Sequence, residues 1–118
     1  PLNKASEAMI DKQFIDIMKK PFYLLNLSRG KVCVLSDVID GLESNKIRGV
    51  ALDVLPNERL EALSENEKKE LAYLGGNNGV ILTPHIGGLT KDSFQELAKV
   101  LGNKIVNWMG NHPLVNPK

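Results

Sequence analysis

The apolar residues of the chain alternate between helical spacing and short continuous runs. Apolar positions three to four residues apart predict amphipathic helices, because such positions lie on one face of a helix. Short apolar runs bounded by Gly, Pro or polar turn residues predict strands. Three strands are predicted on this basis, over 22–27, 50–55 and 80–83. Each follows a segment with helical spacing, so helix and strand are expected to alternate along the chain.

Serine residues mark the starts of the first two predicted helices. Ser6 is expected to cap a helix over about 6–19, which Pro21 would end. Ser36 is expected to cap a second helix that ends near Asn45. Both helices precede apolar runs with the composition of buried strands.

Two further helices are predicted in the second half of the chain. Ser64 followed by Glu67 is the pattern of a capping box, and the glycine pair 75–76 is expected to close that helix. Thr90 is expected to cap a long amphipathic helix that runs to about Met109. At about 1.5 Å per residue such a helix spans about 30 Å, enough to pass from one domain to another.

The alternation of elements predicts how the strands are arranged. Strands joined through helices run parallel, because the helix returns the chain to the end of the sheet from which it came. Helices are then expected to cover both faces of the sheet. The predicted fold class is therefore α/β, with the second, C-terminal half of a doubly wound parallel sheet followed by a long helix.

Composition and charge narrow the class of protein. The 118 residues are 42% hydrophobic and 25% charged, which is typical of one globular domain. Fifteen basic and fourteen acidic residues are interspersed, so no basic stripe for nucleic acid is expected. There is one cysteine, Cys33, and no run of about 18 apolar residues that would span a membrane. Residues 1–7 lack a secretory pattern and an initiator Met, so a cytoplasmic protein with a cut start is expected.

Polar residues with useful chemistry end or follow each predicted strand. Arg29 follows the first strand, Asp53 and Glu58 belong to the second strand and its loop, and His85 follows the third. Ligands of open parallel sheets bind beyond the carboxyl ends of the strands, so these side chains are expected to converge there. An arginine fork matches a carboxylate, and a histidine suits proton transfer near neutrality. The set has the outline of an oxoacid site.

Each of these residues taken singly also fits a structural role. Arg29 before a glycine fits a solvated turn, a lone His85 fits a structural histidine, and Glu58 fits an ordinary surface carboxylate. The functional interpretation therefore depends on the order and spacing of the motifs together.

Three segments together resemble a known family. They are Asn-Leu-Ser-Arg-Gly at 26–30, Arg-Gly-Val-Ala-Leu-Asp-Val at 48–54 with Glu58 following, and Thr-Pro-His-Ile-Gly-Gly at 83–88. In order and spacing they resemble the signatures of the D-isomer-specific 2-hydroxyacid dehydrogenases. The resemblance extends from the first residue to about Met109.

The resemblance implies an NAD-dependent oxidoreductase that interconverts a small-molecule D-2-hydroxy acid and a 2-oxo acid, without a metal. It implies that Arg29 binds the substrate carboxylate, that His85 donates a proton to the carbonyl oxygen, and that Glu58 orients and charges His85. Contacts with NAD are implied for Leu2, Asn3, Leu27, Ser28, Arg29, Asp53, His85 and Gly87.

The resemblance also predicts the domain organisation. Residues 1–104 are expected to form part of a Rossmann NAD-binding domain, and 105–118 the end of the long helix and a tail toward a substrate domain. No G-x-G-x-x-G motif for the pyrophosphate occurs in the sequence, so the isolated chain is expected to be inactive.

The resemblance further implies a homodimer, and overall likeness favours the phosphoglycerate-type members. Two alternatives stay open. One is a dehydrogenase-like module that senses NAD, or a corepressor, without useful catalysis. The other is a structural fragment without a ligand.

Overall fold

The computed structural model describes residues 2–90 and 92–111. The chain divides into two compact units, Pro1–His85 and Ile86–Lys118. The first unit contains three helices, three strands and two short 3-10 turns. In chain order they are α1 Lys12–Ile17, β1 Phe22–Asn26, the turn Gly30–Val32, α2 Leu35–Glu43, β2 Ile47–Leu52, the turn Leu60–Ala62, α3 Glu65–Gly76 and β3 Val80–Leu82. In the second unit the long helix α4 covers Ser93–Asn111.

The three strands form one parallel sheet in the order β1-β2-β3. The predicted α/β fold with parallel strands is confirmed. The register pairs Asn26 with Leu52, and Leu52 with Leu82, so the three strands end side by side. Residues that follow the strands therefore start from one edge of the sheet, where parallel sheets bind ligands.

The core lies between the sheet and helices that pack on one of its faces. Leu24 and Val50 point into this core, and Val38 of α2 and Leu74 of α3 are fully buried in it. Helices α2 and α3 contact each other as well as the sheet. Successive right-handed crossovers without a reversal of strand order place their helices on the same face.

The other face of the sheet is exposed in this chain. Tyr23 and Leu25 of β1 and Ile81 of β3 are each about two-thirds exposed, at 67%, 64% and 65%. The expectation that helices cover both faces is therefore wrong for these residues. The reason is topological, because the strand order does not reverse among the residues that the structure describes.

The first helix is shorter than the sequence predicts. It begins at Lys12, and the Asp11 carboxylate caps it by accepting from a backbone N–H of the first turn. The predicted cap Ser6 instead accepts a hydrogen bond from the backbone N–H of Asn3 at 2.9 Å. Ala8 has a left-handed backbone with φ of 52°, which breaks the helical path before Asp11.

Two other predicted caps are displaced and one is correct. Ser36 lies inside α2, whose N-cap is Val34 without a side-chain hydrogen bond. Helix α4 begins at Ser93 rather than at Thr90. The capping box of α3 is confirmed, because the Ser64 backbone N–H donates to Glu67 at 2.7 Å and the reciprocal bond is also present.

The strands lie close to their predicted positions, with one shift. Strands β1 and β3 end one residue before the predicted limits, whereas β2 covers Ile47–Leu52 instead of 50–55. Val54 and Leu55 therefore belong to the loop after β2 and not to the strand. The predicted tail over 112–118 lies outside the described residues. None of the helices in the described part of the chain is long and apolar enough to cross a membrane.

Candidate active site

A buried amide shapes the loop that follows β1. Asn26 is 5% exposed, and its side-chain oxygen accepts from the backbone N–H and the hydroxyl of Ser28, at 3.0 and 2.9 Å. Its side-chain nitrogen donates to the Arg29 carbonyl at 3.0 Å and to Cys33 Sγ at 3.4 Å. Both ends of one amide thus hold the turn that carries Arg29. The sequence singled out Arg29 but not Asn26, whose only local signal is a polar residue ending an apolar strand.

Arg29 is exposed and keeps most of its donors available. One guanidinium nitrogen, Nη1, donates to the Ser28 carbonyl at 2.7 Å, and no carboxylate forms a salt bridge with Arg29 among residues 2–90 and 92–111. The hydrogen bond to Ser28 limits the motion of the side chain. The remaining N–H groups retain the planar arrangement that matches a carboxylate.

Gly30 brings the loop after β1 against the loop after β2. A Cβ atom at Gly30 would lie 2.0 Å from the Leu55 carbonyl carbon and 2.3 Å from the Pro56 nitrogen. Both atoms are backbone, so a side chain at this position has no flexible neighbour to displace. Only glycine permits this approach, which places the segment containing Arg29 beside the segment that leads to Glu58.

His85 and Glu58 form the hydrogen-bonded pair that the family signature implies. His85 Nδ1 lies 2.9 Å from Oε1 and 3.0 Å from Oε2 of Glu58, although 27 positions separate the residues in sequence. The side chains are about half exposed. His85 has a left-handed backbone with φ of 54°, and its N–H donates to the Thr83 carbonyl at 3.0 Å. This sharp turn directly follows β3.

The electrostatics of the pair keep Glu58 ionised. The hydrogen bond from His85 is the main cause that lowers the pKa of Glu58 below its usual value, and the charges of His85 and Arg29 act in the same direction. Partial desolvation opposes this shift. An ionised carboxylate against Nδ1 fixes the orientation of the imidazole ring. The other ring nitrogen, Nε2, then faces away from Glu58.

Asp53 and Thr83 connect the ends of the strands. Asp53 is 6% exposed, and Thr83 Oγ1 donates to its Oδ1 at 2.6 Å. The backbone N–H of Asp53 donates to the Asn26 carbonyl, and that of Thr83 to the Leu52 carbonyl, each at 3.0 Å. These bonds extend the backbone hydrogen bonding of the sheet beyond the ends of the strands. The first residues of the loops that carry the polar side chains are therefore held in place by the sheet.

Arg29, Glu58 and His85 line one cleft of about 540 Å³. Leu2 lies on the same wall. A second cavity of about 450 Å³ is lined by Asp53 together with Glu58 and His85. The histidine–glutamate pair therefore borders both spaces.

The other predicted cofactor residues do not line this cleft. Asn3 uses its side-chain oxygen to accept from the backbone N–H groups of Ala5 and Ser6, at 2.9 and 3.1 Å. Leu27 is exposed, and Gly87 belongs to the second unit. Their contacts with NAD stay predictions. Among residues 2–90 and 92–111, no three His, Cys, Asp or Glu side chains are grouped so as to hold a metal ion.

Comparison with known proteins identifies the family of this site. Residues 1–87 match the family model described as "D-isomer specific 2-hydroxyacid dehydrogenase, NAD binding domain". The chain belongs to the D-isomer specific 2-hydroxyacid dehydrogenase family. The match ends two residues beyond His85, so it contains all three strands and the three residues of the cleft that the resemblance singled out.

Individual members of the D-isomer specific 2-hydroxyacid dehydrogenase family agree with this assignment. A D-3-phosphoglycerate dehydrogenase of Dictyostelium discoideum is 35% identical over 111 residues, which are 94% of this chain and 26% of that relative. A hydroxypyruvate reductase of Blautia hydrogenotrophica is 32% identical over 97% of this chain and 33% of its own length. The chain therefore spans about a quarter to a third of these relatives.

Solved structures of the family share the fold. D-lactate dehydrogenase from Aquifex aeolicus, solved with NAD and lactic acid, superposes with a TM-score of 0.71 at 26% identity, over 100% of this chain and 40% of that one. A D-isomer specific 2-hydroxyacid dehydrogenase from Lactobacillus delbrueckii ssp. bulgaricus, in an NAD-complexed form, gives 0.69 at 28% identity, over 98% and 38%. The predicted Rossmann-type family fold is confirmed.

Proposed function

We propose that the protein containing this chain is an NAD-dependent D-2-hydroxyacid dehydrogenase that interconverts a 2-oxo acid and a D-2-hydroxy acid. The observation that carries the proposal is that Arg29, Glu58 and His85 line one cleft, with His85 Nδ1 2.9 Å from Glu58. A module that only senses NAD needs neither a carboxylate-binding arginine nor a charged histidine–glutamate pair. Their presence together favours catalysis.

In this proposal each residue has a separate task. Arg29 binds the substrate carboxylate through the donors that Ser28 does not occupy, and its charge polarises the adjacent carbonyl. His85 delivers a proton from Nε2 to the carbonyl oxygen during reduction and removes it during oxidation. Glu58 holds Nδ1 and stabilises the charged ring. NADH supplies the hydride when it is bound.

The residues present fit the nicotinamide end of the cofactor. Asp53 is a nearly buried carboxylate that can accept from a carboxamide N–H, at the strand edge where Rossmann domains bind dinucleotides. Leu2 offers an apolar contact on the wall of the cleft. Leu27, Ser28 and Gly87 are further proposed contacts, and Asn3 is assigned to the adenosine side.

Arg29→Gln tests the proposed binding of the substrate carboxylate. Loss of one partner of a desolvated charge pair typically costs about 2 to 5 kcal/mol, so kcat/KM for 2-oxo acids should fall by about 30-fold to 4,000-fold. The loss should appear largely in KM, while the Kd for NADH stays close to that of the parent. Steady-state kinetics with a panel of 2-oxo acids, together with NADH titration, measure both. The matched control is Arg48→Gln, because Arg48 is exposed and lies outside the cleft. An unchanged KM would remove Arg29 from the substrate site.

Glu58→Gln should lower kcat/KM for 2-oxo acid reduction and abolish the part of its pH dependence that comes from Glu58. The neutral amide can still lie against Nδ1 of His85, but it carries no charge that protonation could remove. In the parent, the lowered pKa of Glu58 keeps its carboxylate charged, and the pair is lost only as pH falls through that lowered pKa. The pH dependence of kcat/KM in the parent and the variant checks this difference. Identical profiles for parent and variant would exclude Glu58 as the functional partner of His85.

We also propose that the protein acts as a homodimer in the cytoplasm. The exposed apolar side chains of α4, such as Phe94 and Trp108, offer area for association. Buried, unpaired Cys33 is compatible with a reducing compartment. Sedimentation and cell fractionation test the two statements separately.

A further inference from the structure

The cleft that holds Arg29, Glu58 and His85 has two further cations on its wall, Lys31 and Arg59. Lys31 follows Gly30 in the short turn after β1, and Arg59 follows Glu58 in the loop after β2. Both side chains are exposed. The contact of Gly30 with the backbone of Leu55 brings the two loops together, so each loop contributes one of these cations to the same space.

Neither cation is neutralised within the described part of the chain. The salt bridges of residues 2–90 and 92–111 join Lys12 to Asp16, Lys68 to Glu65, His85 to Glu58 and Lys99 to Glu96. Lys31 also borders a neighbouring cavity whose wall includes Glu7, Glu67 and Glu70, yet none of these forms a salt bridge with it. No hydrogen bond of either cationic side chain is found among the described residues.

A ligand with a single carboxylate would leave an excess of positive charge in the cleft. Three cations, Arg29, Lys31 and Arg59, face one acidic side chain, Glu58, which already pairs with His85. The carboxylate of a 2-oxo acid would occupy Arg29. Lys31 and Arg59 then remain as a second cationic site in the same cleft, and arginine and lysine are the side chains that bind phosphate and carboxylate groups.

We propose that Lys31 and Arg59 form a second anion subsite, and that the substrate is a 2-oxo acid with a further anionic group beyond its carbonyl. The proposal rests on the proposed function, because it places the 2-oxo acid on Arg29. The cleft of about 540 Å³ is within the range of ligand pockets and leaves space for both groups. A phosphate ester fits the pair best, because the arginine fork binds two oxygens and the lysine supplies a third donor.

The test compares substrates that differ in the second anion. The complete protein and its Lys31→Gln, Arg59→Gln and double variants are assayed with NADH against pyruvate and 3-phosphohydroxypyruvate. Hydrogen bonds to charged groups contribute about 1.5 to 3 kcal/mol each, so the double variant should lower the ratio of kcat/KM for the phosphorylated acid over pyruvate by about 10² or more. Each single variant should lower that ratio by a smaller factor. The matched control is the Lys20→Gln, Arg48→Gln double variant, since both residues are exposed and lie outside the cleft.

The remaining outcomes separate this proposal from the proposed function. A parent protein that reduces pyruvate as efficiently as the phosphorylated acid overturns the subsite and leaves the dehydrogenase assignment intact. A parent that reduces neither acid, nor any other 2-oxo acid, contradicts the proposed function itself. The cofactor also carries phosphates, so NADH affinity is titrated in parallel. A double variant that loses NADH affinity while its substrate ratio is unchanged would assign the cations to the cofactor and overturn the subsite.

Discussion

His85→Ala is expected to lower kcat for 2-oxo acid reduction by about 10² to 10⁴, the usual contribution of a general acid. The Kd for NADH should stay near the parent value, because the proposed role of His85 is proton transfer at Nε2. Single-turnover reduction and NADH titration of the complete protein measure the two quantities. Cofactor affinity that collapsed with the loss of the ring would contradict the assignment of His85 as the acid.

The left-handed backbone at His85 requires a second variant, because alanine disfavours the φ of 54° that histidine adopts there. His85→Asn is the matched control, since asparagine tolerates this region but its amide cannot act as a general acid. Both variants are expected to lose similar amounts of activity. Recovery of activity in the asparagine variant alone would mean that backbone geometry, and not proton transfer, explains the loss.

Gly30→Ala is expected to destabilise the protein by about 3 kcal/mol or more, at the upper end of the usual cost of overpacking. The added methyl group would lie 2.0 Å from the Leu55 carbonyl carbon, so one of the two loops must move. The movement separates the segment of Arg29 from that of Glu58, and activity should fall together with stability. Denaturant unfolding and kcat/KM of the same preparation check both consequences.

The chain offers a control for this substitution within α3. A Cβ atom at Gly75 meets nothing within 4 Å, so Gly75→Ala tests a glycine replacement without a clash. Helix propensity predicts a change of about 1 kcal/mol or less, in the stabilising direction. Equal effects at Gly30 and Gly75 would show that the two loops do not approach as closely as the structure describes.

Much of the fold could be predicted from local signals. The capping box of Ser64 and Glu67 needs only residues three apart, and the apolar runs that became β1 and β3 are bounded by Pro21 and Pro84. Parallel strands followed from the helices between them. The prediction that Ser6 caps the first helix is wrong, because its hydroxyl bonds to Asn3 and the helix begins only after the left-handed Ala8.

The sequence predicted which side chains carry the chemistry of the site, but not the contacts that bring them together. The family signature identified Arg29, Glu58 and His85, and the structure places all three in one cleft. The contact of Gly30 with Leu55 joins residues 25 positions apart, so no local sequence pattern predicts it. Asn26 was missed for a similar reason, since its importance lies in four hydrogen bonds that exist only once the turn has formed.

The order of the strands also determines how firmly each side chain of the cleft is anchored. Among the described residues, Glu58 follows the central strand β2, which is bonded on both sides, whereas Arg29 and His85 follow β1 and β3, each of which is bonded on one side. Amide hydrogens of β2 should therefore exchange with solvent most slowly, and those of the short strand β3 earlier, through local opening. An opening limited to β3 carries His85 away from Glu58 while the rest of the sheet stays folded. Proton donation would then be lost before global unfolding is detectable.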